Sequence, residues 1–348
     1  MSIGVAIIGS GIFVHEEHLP AVKACSHLSL KAIYSRSLKS AKALETNVDL
    51  YSDDSGAGKT YHDLLLRADI QAVIIALPIL TQPEFIEAAL AAGKHVLSEK
   101  PIAADIKRAE QLLAYYKSDK VKGGATWGVA ENFRFLESFE HGRKEVEKLG
   151  RIIGFRVKMF GNVKAGGKYI ETPWRKKPEY QGGFLLDGGV HFVAGTRELL
   201  GTDYCTSLTA YTTLLQEHLP PVDTVNSVWQ TKSGVSGTFS VSFGTTLSGS
   251  EYTVACEKGS VTIIRDKVTV RFGEESEGNF TEIDFSEKPD NAGSGVKPEV
   301  MSWAQSMVDG KPNPKQSPEQ GLGDLEILEA MLKSGEANGQ PRILKYQA

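Results

Sequence analysis

The sequence predicts an α/β protein: a parallel, doubly wound sheet comes first, then a second domain built on a mostly antiparallel sheet. Three observations carry that prediction. The first 125 residues alternate short β-rich runs with helical patterns, the sign of a parallel sheet with crossover helices. The opening run Ile3–Ile8 is continuously apolar, as a strand covered on both faces must be. Beyond residue 150, extended patterns follow one another through turns such as Lys258-Gly259, which suits antiparallel pairing. A chain of 348 residues can bury two cores, placed here at 1–125 and 126–348.

In order, residues 12–25 read as a helix broken late by Pro20, 28–34 as a strand, and 38–46 and 61–67 as helices. A buried strand follows at 72–77. Residues 82–92 have helical spacing and stop at Gly93, a natural C-terminal cap. A short strand at 95–98 and a helix at 106–118 complete the first half. The texture changes near Lys122-Gly-Gly124. Residues 137–149 are helical, and 151–160, 207–214, 226–231, 235–243, 251–257, 260–265 and 267–272 are extended. Helices at 299–309 and 318–333 close the chain, and the polar, Gly- and Pro-containing stretch 287–298 reads as a mobile loop.

Composition narrows the function. Apolar residues at 41% and charged residues at 24% describe an ordinary soluble protein. The 39 Lys+Arg against 43 Asp+Glu leave a formal charge of −4 and no basic stripe interleaved with aromatics, which argues against direct nucleic-acid binding. Cys25, Cys205 and Cys256 form no CxxC pair, pointing to a reducing compartment rather than a disulfide framework or structural zinc. Residues 3–8 are too short for a signal-peptide core, and the longest apolar run, 70–80, contains Gln71 and Pro78. The expectation is a soluble cytoplasmic protein with no membrane partner.

Gly9-Ser10-Gly11 stands between the first strand and a helix that Ile12 and Phe13 enter. Glycine there permits a tight turn and lets a dinucleotide pyrophosphate approach the helix N–H groups. Val14 takes the place of the usual third glycine, which alters helix packing but leaves the phosphate turn intact. At the end of the second strand an NAD site would carry an acid for the ribose 2′-hydroxyl; this chain has Ser35-Arg36-Ser37. A guanidinium flanked by hydroxyls suits a 2′-phosphate, so NADP is preferred and NAD possible. Asp49, Asp53 and Asp54 come too late in the chain to replace that acid. Ser55-Gly-Ala-Gly-Lys-Thr60 resembles the end of a phosphate loop, but Asp53 falls where its first glycine belongs, so the segment reads as a surface turn.

Lys100 follows a strand and precedes Pro101, at the carboxyl end of a parallel sheet where ligands bind. Its ammonium suits a substrate hydroxyl; Glu99 sits on the other face or holds the turn. Asp187 and His191 are four apart, on one face if the segment is helical, as an imidazole acid/base with an orienting carboxylate requires. A metal site would need a third ligand. His15-Glu-Glu-His18 is the available cluster, and solvated charges are its simpler reading, so no metal is expected. Arg134, Trp174 and Arg175 are further substrate candidates, since arginine–aromatic pairs line polyol sites.

Taken together, Gly9-Ser-Gly11, Ala91-Ala-Gly-Lys-His-Val-Leu-Ser-Glu-Lys-Pro101, Glu131-Asn-Phe-Arg134, Leu149-Gly-Arg-Ile152 and Gly182-Gly-Phe-Leu-Leu-Asp-Gly-Gly-Val-His191 resemble the glucose–fructose oxidoreductase / inositol dehydrogenase / rhizopine-catabolism family. The resemblance implies an N-terminal Rossmann domain followed by an α+β domain with a large open sheet, whose outer face forms homodimers or homotetramers. It implies a cis bond before Pro101 that positions Lys100 under the nicotinamide. Lys100 would orient the substrate hydroxyl, His191 act as acid/base, and Asp187 assist it or contact a sugar. Leu77-Pro78 stands where Thr-Pro is frequent and Gln82 where histidine is frequent, both on the cofactor wall. The implied activity is hydride transfer between a nicotinamide and a hydroxyl or carbonyl carbon of a sugar or cyclic polyol. A dihydrodiol is the nearest substrate alternative, and a non-catalytic, dinucleotide-binding regulatory protein is the alternative of another class. Such regulators tend to lose the lysine or the histidine, and both stand here.

Overall fold

A computed structural model describes residues 2–274, 278–286 and 294–347. They fall into two compact units, Met1–Asn132 with Val296–Leu322, and Phe133–Gly295 with Gly323–Ala348. The first runs β1 (Ile3–Ile8), a π-helical turn (Val14–His18), α1 (Leu19–Ala24), β2 (Leu28–Ser35), α2 (Leu38–Lys42), β3 (Asp49–Ser52), α3 (Tyr61–Leu65), β4 (Ala72–Ile75), α4 (Gln82–Ala91), β5 (His95–Glu99), α5 (Ile106–Tyr116) and β6 (Trp127–Ala130). Then come α6 (Glu137–Lys148), β7 (Ile152–Asn162), α7 (Pro173–Lys176), α8 (Gly183–Leu200), β8 (Cys205–Thr213), β9 (Thr224–Thr231), β10 (Ser236–Ser242) and β11 (Gly244–Cys256). The chain ends with β12 (Gly259–Ile264), β13 (Lys267–Phe272), β14 (Phe280–Asp284), α9 (Val296–Val308), α10 (Pro318–Glu336) and β15 (Arg342–Ile343).

The first sheet has the order β3-β2-β1-β4-β5-β6 and is parallel throughout. This is the doubly wound arrangement that the apolar run of β1 predicts, with the ligand crevice expected where the strand order reverses beside β1. Sequence reading passes over β3 and β6, which have four residues each and, unlike the equally short β4, no longer aliphatic run to mark them.

The expected helix over 12–25 forms, but Pro20 does not break it. A proline removes an N–H and crowds the carbonyl four residues earlier. Here the chain widens just ahead of it into the π turn, with the Leu19 N–H bonded to the Val14 carbonyl, and Pro20 enters α1 in its first turn. The phosphate-loop look-alike is indeed a turn: Thr60 caps α3 in a reciprocal capping box with Asp63.

The first unit reaches past residue 125 and takes in α9, whose Val296, Val300, Trp303 and Ala304 join the core with Val5, Ile7, Val14 and Val22. Burying a side chain such as Val296 or Val300 contributes about 1.5–3 kcal/mol, so α9 belongs to this core despite its distance along the chain. The expected mobile loop at 287–298 is corrected in part. Residues 296–298 are the first turn of α9, and 287–293 lie outside the described residues.

Among the described residues of the second unit, nine strands follow the order β14-β13-β12-β11-β7-β10-β9-β8-β15, every neighbouring pair antiparallel except β7 with β10. Its inner face packs Phe155, Val241 and the stacked pair Trp229 and Phe239, with ring centroids 4.7 Å apart. Tyr211 and Val228 remain exposed. β14 and β15 were not anticipated. β14 has every residue exposed and β15 only two residues, so neither carries a burial pattern. Among the described residues no helix is long and apolar enough to cross a membrane.

Candidate active site

Strand β1 ends in Gly9-Ser10-Gly11. Gly9 has φ +128°, and a Cβ there would stand 2.3 Å from the Ala76 carbonyl oxygen, so both backbone and space demand glycine. At Gly11 a Cβ would meet nothing within 4 Å; the turn faces open space beside the N–H groups that open the helix. The Gly9 N–H donates to the Tyr34 carbonyl, and the hydroxyls of Ser10 and Ser35 lie 2.6 Å apart, tying the ends of β1 and β2 together. These residues fit a dinucleotide pyrophosphate, which needs close backbone approach at a helix N-terminus.

Arg36 follows β2, exposed and free of a partner among the described residues. Its flanking hydroxyls are engaged: Ser35 with Ser10, and Ser37 as the cap of α2, accepting from the Ser40 N–H. The 2′-phosphate reading therefore narrows to the guanidinium. Register also brings Asp53 and Asp54 closer than sequence distance suggests, since Ser35 pairs with Ser52. Each already has donors. Asp53 accepts from the Tyr34 hydroxyl at 2.6 Å; burial above all, with Asp53 beside it, pushes that phenol well above its ordinary range. Asp54 accepts from Ser52 and the Leu38 N–H, which hold its carboxyl below the usual carboxylate range.

The opposite wall starts after β4. Leu77 and Pro78 are half-buried, and the Pro78 carbonyl accepts from the Thr81 and Gln82 N–H groups as α4 begins. Gln82 is buried and donates to the Glu99 carbonyl at 3.2 Å. Lys100 is half-buried after β5, and the Lys100–Pro101 bond is cis. The Glu99 side chain holds the first helical segment: His18 Nε2 lies 2.6 Å from its Oε1. The reading of 15–18 as solvated charges thus fails at His18, which has no exposed surface, while His15 and Glu16 are exposed. His18 escaped sequence analysis although Val14, His18 and Val22 repeat every four residues, the spacing of an inward helix face. Among the described residues no group of three acids, histidines or cysteines could hold a metal ion.

In the second unit α8 carries Asp187 and His191 one turn apart on one face. Asp187 is buried, and Arg175 Nε donates to its Oδ2 at 2.6 Å. That guanidinium sits 4.0 Å from the Trp174 ring centroid and 5.5 Å from that of Tyr169. Burial, with Asp187 nearby, raises the Tyr180 phenol above its ordinary value. His191 is half-buried and stacks on Phe133, centroids 4.9 Å apart and planes 18° apart. Tyr180 carried no sequence signal, and Phe133 appeared only inside the Glu131–Arg134 motif, because each meets α8 only through the fold. Arg134, a substrate candidate from the sequence, stands in a buried charge network. It is 3% exposed and paired with Asp324, which also accepts from Arg197 Nη1 at 2.6 Å. Such a buried network holds structure and is costly to break.

Residues 3–125 match an oxidoreductase-family model with an NAD-binding Rossmann fold, and residues 143–341 match that family's C-terminal alpha/beta domain. Dehydrogenase FPY6 of Fusarium mangiferae is 39% identical across 99% of this chain and 100% of its own. A dTDP-3,4-didehydro-2,6-dideoxy-alpha-D-glucose 3-reductase of Actinomadura kijaniata is 31% identical across 58% of this chain and 57% of its own. The crystal structure of an oxidoreductase from Thermotoga maritima superposes over 100% of both chains, with a TM-score of 0.86 and 29% identity.

Proposed function

Given that this chain belongs to the glucose–fructose oxidoreductase / inositol dehydrogenase / rhizopine-catabolism family of NAD(P)-binding oxidoreductases, we propose that it is an NADP-preferring dehydrogenase or reductase of a sugar or cyclic polyol. The bound nicotinamide supplies hydride chemistry. Lys100 donates a hydrogen bond to the substrate oxygen, and His191 takes or returns the hydroxyl proton. Asp187, anchored by Arg175, accepts from a substrate hydroxyl on the same helix face. Arg36 carries the cofactor preference, because an exposed guanidinium without a partner among the described residues fits a 2′-phosphate better than a 2′-hydroxyl.

The observation that carries this reading is His191: half-buried, held flat against Phe133, and one turn beyond an anchored carboxylate. Such an imidazole is oriented yet reachable by a ligand. The similarity to a reductase of a deoxysugar nucleotide supports a sugar-like substrate. The exposed Tyr211 and Val228 on the sheet suit a homodimer or homotetramer, which light scattering on the purified protein measures.

The test follows the absorbance of reduced nicotinamide with both cofactors against pyranoses, inositols and dihydrodiols. Turnover of a pyranose or inositol with NADP supports the proposal. Tight NADP(H) binding without turnover across the panel would replace it with the regulatory reading.

A further inference from the structure

The π turn delivers one side chain wholly out of solvent. His18 lies beside the Phe13 ring, centroids 5.3 Å apart, with Nε2 against the Glu99 carboxylate. A carboxylate only accepts, so the imidazole is the donor. From α4, Gln82 donates to the main-chain carbonyl of the same residue. Glu99 is thus held twice, by side chain and by backbone, immediately before Lys100. Two atoms of this clamp, His18 Nδ1 and Gln82 Oε1, are buried without a hydrogen-bond partner among the described residues. Unpaired polar atoms are costly in a core, and packing alone would favour apolar side chains at both places. π-Helical turns also concentrate at functional sites.

We propose that His18 is a positioning residue for Lys100. By holding the Glu99 carboxylate toward the first helical segment, it orients the backbone from which Lys100 projects and keeps that carboxylate from pairing with the Lys100 ammonium. Gln82 completes the clamp at the carbonyl. The inference rests on Lys100 acting on a substrate hydroxyl, so its test reads Lys100 without any substrate.

The full-length protein is acylated with acetic anhydride, and Lys100 is followed against the other lysines by peptide mass spectrometry, with and without NADPH. His18→Phe keeps a ring beside Phe13 but removes the donor. The freed carboxylate then favours the charged, unreactive form of the lysine, and Lys100 acylation slows about 5-fold. His18→Gln restores a donor and stays within about 2-fold of wild type. NADPH affinity, from nicotinamide fluorescence, is unchanged in both. Should His18→Phe fail to melt cooperatively, Gln82→Met tests the clamp from its other end, with slowing of about 3-fold.

A folded His18→Phe protein with wild-type Lys100 reactivity overturns the proposal, as do Phe and Gln variants that behave alike. Slowed Lys100 with rescue by Gln, in a protein that turns over no alcohol, keeps the positioning role and sinks the dehydrogenase reading instead. Where an active substrate is found, His18→Phe lowers kcat about 10²-fold with KM little changed.

Discussion

Two helical segments of this chain follow a glycine and carry a histidine on the inward face, yet they use it in opposite ways. In the turn Val14–His18 the imidazole has no exposed surface and is bonded to Glu99, 81 positions along the chain. In α8 the imidazole of His191 is half-buried and stacked on Phe133, while the acid one turn earlier, Asp187, is tied to Arg175. A sealed imidazole can hold a neighbour in place but cannot exchange a proton with a ligand. A partly open one can do so. The contrast teaches that the acid facing a histidine, and the exposure left to it, decide its work more than its motif does.

The comparison breaks most directly at its reactive end. His191→Ala and Lys100→Ala are each expected to lower kcat about 10²-fold or more, with cofactor affinity and melting temperature nearly unchanged. Near-normal turnover in both would remove the catalytic assignment. Arg175→Ala sharpens the role of the anchored acid. It leaves the buried Asp187 without its charged donor and should cost about 30-fold in kcat/KM, and an unchanged kcat/KM would mean that Asp187 needs no anchor. The smallest effect belongs to the cofactor seat. Arg36→Ala should weaken NADP by about 10-fold and leave NAD unaltered in paired titrations, whereas equal weakening would refute the 2′-phosphate role.

Much of the fold was legible because its signals are local. The apolar run of β1, the glycine turn behind it, the cap at Gly93 and the alternation in the second half each report on a few consecutive residues. The same holds for Asp187 and His191, whose four-residue spacing became one helix face once α8 formed. What escaped was settled by partners far along the chain. His18 looked solvated beside two glutamates, and Asp53 looked too distant from β2 until β3 paired with it. Arg134 read as a substrate candidate, and only the fold shows that it pairs with Asp324, which Arg197 also holds.

By itself the sequence determined the two-sheet class, the place of the glycine turn after the first strand and the types of acid and base on offer. These follow from periodicity and from residues such as Gly9 whose backbone no other residue adopts comfortably. Only the tertiary structure decided which histidine is sealed and which is open, that Arg36 stands without the help of Ser35 and Ser37, and that α9 joins the first core. Burial and long-range hydrogen bonding set those outcomes. Both depend on which surfaces meet, and no window of consecutive residues contains that information.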